Sequence, residues 1–154
     1  MDTLNTLLEQ AEAERNLALA AFNQARARCD AARTQAVQLD VYRADYQRRW
    51  SQQFAQGAAL EIVRCYQGFA ARLDTAIAQQ GHAVALTQAA QTRAGDALTA
   101  NELRLASVRK LIERRTQAER QASYQREQKA DDEHAMRMAQ SRGGRHPGAA
   151  GAAL

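Results

Sequence analysis

The residues of this 154-residue chain with the sharpest chemistry are three histidines, His82, His134 and His146, and two cysteines, Cys29 and Cys65. A metal centre needs ligands that converge, and none of the histidines has a second His or Cys at ligand spacing. Asp131-Asp132-Glu133-His134 sets possible ligands in a row. Consecutive helix positions point to different sides, so the run reads as solvated helix surface. Gly57, Gly68, Gly81 and Gly95 are scattered, and no Lys-Ser or Lys-Thr follows any of them, so no loop is built to cradle phosphate. Serine, cysteine and histidine side chains are present, but a thin helical scaffold offers no concavity to exclude water around them. The expectation is a protein without catalytic residues, cofactor or metal. Cys29 and Cys65 would lie tens of ångströms apart at about 1.5 Å per helical residue. A bridge within one chain is therefore ruled out by geometry, and reduced thiols are expected.

The informative chemistry is aromatic. Only 5% of the chain is Phe, Trp or Tyr. Most of these residues gather between Leu39 and Leu73, at Tyr42, Tyr46, Trp50, Phe54, Tyr66 and Phe69. Gly57 sits at the centre of this stretch, within the small-residue run Ala55-Gln56-Gly57-Ala58-Ala59. Tyr42, Tyr46, Trp50, Tyr66 and Phe69 can seal the end of a helical hairpin. A two-helix seam covers only part of each ring, so they can also form a docking patch. Their neighbours Arg43, Arg48 and Arg49 complete the composition of a binding hot spot.

Long helices must position these rings. From Leu4 a stripe recurs in alternating steps of four and three: Leu4, Leu8, Ala11, Arg15, Ala18, Phe22, Ala25, Cys29, Ala32, Ala36, Leu39, Arg43, Tyr46, Trp50. Sustained spacing of this kind marks a coiled-coil seam. Asp2 or Thr3 can cap its start. With no glycine or proline before Gly57, the spacing predicts a first helix over about 3–54. A second stripe follows a turn at about 55–60: Val63, Tyr66, Phe69 or Ala70, Leu73, Ile77, Gln80, Val84, Thr87, Gln91, Ala94, Leu98, Asn101, Leu105, Val108, Ile112. The predicted second helix covers about 61–140.

Folding the chain at Gly57 sets Trp50 against Tyr66, Tyr46 against Phe69 and Tyr42 against Leu73. Phe22 falls near Ala94, and Leu8 and Leu4 fall near Val108 and Ile112. The middle is small on both sides, with Ala25, Cys29, Ala32 and Ala36 against Ala83, Thr87 and Ala90. The second stripe stops at Ile112, where the first arm runs out of partners, which favours pairing within one chain. The expected fold class is all-α: a long antiparallel two-helix coiled-coil hairpin occupying 1–140. Past Ile112 the helix is expected to overhang its partner, and 141–154 is expected to be a disordered tail.

Composition agrees with a thin structure. Hydrophobic residues reach 45%, but alanine inflates that figure, and the mean hydropathy is −0.58. The net charge is +4, from 21 Lys and Arg against 17 Asp and Glu. The signs are mixed, whereas binding phosphates takes a concentrated basic face. No nucleic-acid partner is expected, and no small-molecule substrate. No apolar run approaches the roughly 20 residues of a membrane span. The acidic start MDTLNTLLEQAEAER lacks a secretion pattern, so a cytoplasmic location is expected.

The spacing Gln35, Leu39, Tyr42, Tyr46, then Gly57, then Tyr66, Phe69, Leu73, Ala76 resembles the flagellar type III export protein FliJ family. So does Glu127-Gln128-Lys129-Ala130-Asp131-Asp132-Glu133, which is similar to that family's K-x-x-D-E region. The resemblance spans about Leu4 to Met138. It implies an antiparallel coiled coil like the central stalk of rotary ATPases. It implies a non-enzymatic role in flagellar protein export: inserting into and promoting assembly of a hexameric, FliI-like export ATPase, binding an FlhA-like export gate, and escorting export chaperones. The gate-binding surface it implies is Gln35, Leu39, Tyr42, Tyr46, Phe69, Leu73 and Ala76, and the paired helix termini, with the overhang after Ile112, would enter the ATPase ring. Contact with the cytoplasmic face of the inner membrane would be peripheral, through these partners. The alternatives are a YscO-like stalk of a virulence secretion system and a coiled-coil homodimeric scaffold.

Overall fold

The structure of the chain is a computed structural model, and it describes residues 2–144. Those residues form two α-helices, α1 (Asp2–Ala55) and α2 (Leu60–Gly143). No strand occurs among the described residues, and the helices pack against each other as the two stripes require. The chain divides into two compact units, one ending at Ala106 and the other beginning at Ser107.

The first unit is a helical hairpin. Its α1 arm is rich in Ala, Gln, Arg, Glu and Leu, all good helix formers. Asp2 places a carboxylate in the first turn, where the helix dipole favours negative charge. At the other end the last turn tightens. The N–H groups of Gln56 and Gly57 donate to the carbonyls of Gln53 and Phe54 at 3.2 and 3.1 Å. These three-residue closures satisfy carbonyls that the helix would leave open. Gly57 then adopts φ 88°, the left-handed conformation that costs an L side chain about 1–2 kcal/mol. The new helix opens as the carbonyl of Ala59 accepts from the N–H groups of Ile62 and Val63 at 3.0 and 3.2 Å.

The expected seam is the occupied seam. Along α1 every stripe position is buried or half-buried except Arg43. Arg43 interrupts the stripe, as its charge implies: it is exposed and its Nε meets Asp74 Oδ1 across the hairpin at 2.9 Å. A long charged side chain at a seam edge keeps its head in water and lends only its stem. Along α2 each stripe member from Val63 to Leu105 is likewise withdrawn from solvent. The core is thin, as composition requires. Its buried residues are Leu4, Ala11, Cys29, Ala32, Leu73 and Leu105, and of these Cys29 is fully enclosed. Polar ties across the hairpin include Arg43 to Asp74, Arg104 Nη1 to Glu14 Oε2 at 2.7 Å, and Gln80 Nε2 donating to the Ala32 carbonyl at 2.9 Å.

The second unit is the remainder of α2. Val108, Ile112 and Thr116 are half-buried, and every described residue beyond Thr116 is exposed. Glu, Arg, Gln and Ala hold this segment helical through propensity and local pairing. Arg115 with Glu119 and Arg137 with Glu133 are such pairs, each at 3.9 Å. The helix continues through residues 141–143; the expected tail from residue 145 onward lies outside the described residues, as does His146.

Candidate functional site

The aromatic residues stand at helical repeats that bring them to one end of the first unit. Tyr42, Tyr46, Trp50 and Phe54 recur every four residues on α1, so their rings stack along one ridge. Tyr66 and Phe69 face that ridge from α2. Tyr46 is the hub. Its ring centroid lies 4.6 Å from Phe69, 5.5 Å from Tyr66, 5.9 Å from Trp50 and 6.3 Å from Tyr42. Trp50 lies 5.5 Å from Tyr66 and 5.4 Å from Phe54, and Phe54 meets Tyr66 edge-on at 5.3 Å and 83°. Offset and edge-to-face geometries of this kind add about 0.5–1.5 kcal/mol per pair beyond burial.

Of the residues expected to form a gate-binding surface, the structure joins Tyr42, Tyr46 and Phe69 in mutual ring contact. Leu39 and Ala76 are half-buried and Gln35 is exposed. Leu73 is only 7% exposed, so it supports the surface from beneath. Tyr42 is 51% exposed and is the ring most open to a visitor. The expected contacts of Trp50 with Tyr66 and of Tyr46 with Phe69 both form. Tyr42 turns its edge to Phe69 at 6.4 Å and 71°, and Leu73 is buried in the seam.

The arginines beside the rings are held. Arg48 and Arg49 both reach Asp45, at 2.9 and 3.0 Å, from one turn farther along α1. With Arg43 on Asp74, the patch carries carboxylate-paired guanidiniums around aromatic edges. The docking patch expected from the sequence leaves out two parts of this region. Phe54 extends the cluster toward the turn, and the step of four from Trp50 was the available signal. Val37 and Val41 stand 60% and 63% exposed and, with Gln38, Tyr42, Asp45 and Arg48, line a shallow groove on α1. They lie off the seam, so a search along the seam passes them by.

Such a surface can bind through apolar burial, ring contacts and paired charges, without bond-making. Among the described residues no group of three His, Cys, Asp or Glu is placed to hold a metal ion. Nor is any described helix long and apolar enough to cross a membrane. Cys29 and Cys65 are both free thiols, the first buried and the second exposed.

Comparison with curated proteins and with solved structures gives no match. Against protein-family models, the one described as "Flagellar FliJ protein" matches residues 1–144. That match covers both helices, the turn between them and the aromatic end. The chain therefore belongs to the flagellar FliJ family, whose members are components of the flagellar type III export apparatus.

Proposed function

We propose that this export component is a non-catalytic stalk and escort. One part of the chain, the all-exposed helix beyond Thr116, inserts into a hexameric FliI-like export ATPase and promotes its assembly. Another part, the aromatic end of the hairpin, engages an FlhA-like export gate through Gln35, Leu39, Tyr42, Tyr46, Phe69, Leu73 and Ala76. Export chaperones are handed on by the same chain, which reaches the cytoplasmic face of the membrane only through its partners. A helix pair that binds two partners at separate places couples them when its affinity for one differs between states of the other.

The observation that carries this reading is the half-open aromatic cluster. With Tyr46 packed among four other rings and Tyr42 half exposed, the cluster is preorganised for contact, and tyrosine in such settings is enriched among binding hot spots. The family match supports a flagellar over a virulence setting.

The test uses the exposed members of the surface. Gln35→Ala with Tyr42→Ala is expected to weaken capture of the purified gate domain by ten-fold or more while the circular dichroism spectrum at the assay temperature keeps its full helical signal, the lost Tyr42 ring contacts showing only as a lower melting temperature. Undiminished capture overturns the gate assignment.

A further inference from the structure

The face of α1 turned away from α2 carries a seam of its own. Asp30, Thr34, Val37, Val41, Ala44 and Arg48 recur in steps of four, three, four, three and four, and all are exposed. At about 3.6 residues per turn they form one stripe, opposite the stripe of Cys29, Ala32, Leu39 and Tyr46. A heptad-spaced stripe is the geometry by which one helix takes a second. Its spacing is also symmetric. About a point level with Leu39, Val37 mirrors Val41, Thr34 mirrors Ala44, and acidic Asp30 mirrors basic Arg48.

We propose that this outer face of α1 is a docking surface for a second copy of the chain, packed antiparallel across a two-fold axis beside Leu39. In that arrangement the layers are Val37 on Val41, Thr34 on Ala44, and Asp30 on Arg48, each made twice. Both central valines, 60% and 63% exposed in the single chain, are covered. Arg48 now holds Asp45 at 2.9 Å, and in the pair it gains Asp30 of the second copy on its other side. The charges select the direction. A parallel pair would stack Asp30 on Asp30 and Arg48 on Arg48, and like charges brought together oppose association. Self-complementarity of one patch is what a two-fold interface demands.

The stripe is short and only its centre is large and apolar. It therefore sits at the small end of specific interfaces, those of weak and transient pairs. Gln35, Tyr46 and Phe69 lie on the other side of α1 or on α2, so pairing leaves them accessible. This dimer differs from a coiled coil made by exchanging the main seam, because each hairpin remains closed.

The experiment is sedimentation equilibrium of the full chain from micromolar to millimolar concentration. A reversible monomer–dimer equilibrium is expected. Arg48→Asp should raise the dissociation constant ten-fold or more by setting two carboxylates face to face. The swap Asp30→Arg with Arg48→Asp should restore it. Val37→Asp with Val41→Asp should abolish the dimer with helicity unchanged, since both sites are solvent-facing. Spin labels at position 27 (Ala27→Cys in a Cys65→Ser chain, with Cys29 buried) should lie about 36 Å apart for antiparallel helices rising 1.5 Å per residue. A parallel pair would hold them near the interaxial distance of about 10 Å. A chain monomeric throughout, a dimer indifferent to the charge reversal and swap, or the short label distance overturns the proposal.

Discussion

Near the turn, Tyr46 packs among Tyr42, Trp50, Tyr66 and Phe69 and stays only half-buried. Farther along the same seam, Cys29 has 0% exposure and Ala32 only 8%, although neither side chain has any bulk. Large rings fill the space between the helices and spill past its edges. Small residues let the helices close over them and leave little showing. One region therefore presents apolar surface to solvent while it packs. The other packs and presents little. In a two-helix structure display and burial compete for the same atoms, and this chain separates them along its length.

The largest test of that contrast is Tyr46→Ala. It removes the hub of the cluster and is expected to destabilise the hairpin by about 2–3 kcal/mol, below the full-burial range for aromatics because the ring is half open. Thermal melting followed by circular dichroism measures it; a loss under about 0.5 kcal/mol would mean that the rings serve display alone. Next is the opposite insult, Cys29→Leu. A larger side chain at a position with no exposure forces the helices apart, at a cost of about 1–3 kcal/mol. Were the middle loosely packed, the added leucine would instead stabilise it. The smallest effect comes from Gly68→Ala near the rings and Gly81→Ala near the middle. In both, an added Cβ meets nothing within 4 Å, so each should stabilise by about 0.5–1 kcal/mol through helix propensity alone. Equal gains at both sites would place the regional difference in the seam side chains. Unequal gains would place it in the backbone.

Much of this was legible in the residues. The four-three spacing marked both helices because one face of each must be apolar, and Gly57 marked the turn because its left-handed backbone suits glycine. Folding at that point paired Trp50 with Tyr66 and Tyr46 with Phe69, since step counting along rigid helices is reliable over a few turns from the bend. It failed where side-chain length rather than position decides. Gln80 reaches across to the Ala32 carbonyl at 2.9 Å, a bond that no spacing reveals because the acceptor is backbone. Arg43 occupies a seam position yet directs its head to Asp74. Val37 and Val41 were invisible to a search for one seam because they belong to the other face. The candidate binding residues were legible only as a cluster of types. Which of them face outward, as Tyr42 and Gln35 do, depends on how deep each side chain sinks between the helices, which spacing does not give.

The two thiols have a practical consequence. Cys65 is open to solvent and Cys29 is sealed between the arms. A sulfhydryl reagent meets the first at once and the second only when the arms part. The lag between the two modifications is thus a clock for the breathing of the pair, readable in the natural chain by mass alone, before and after any protein is allowed to clasp it.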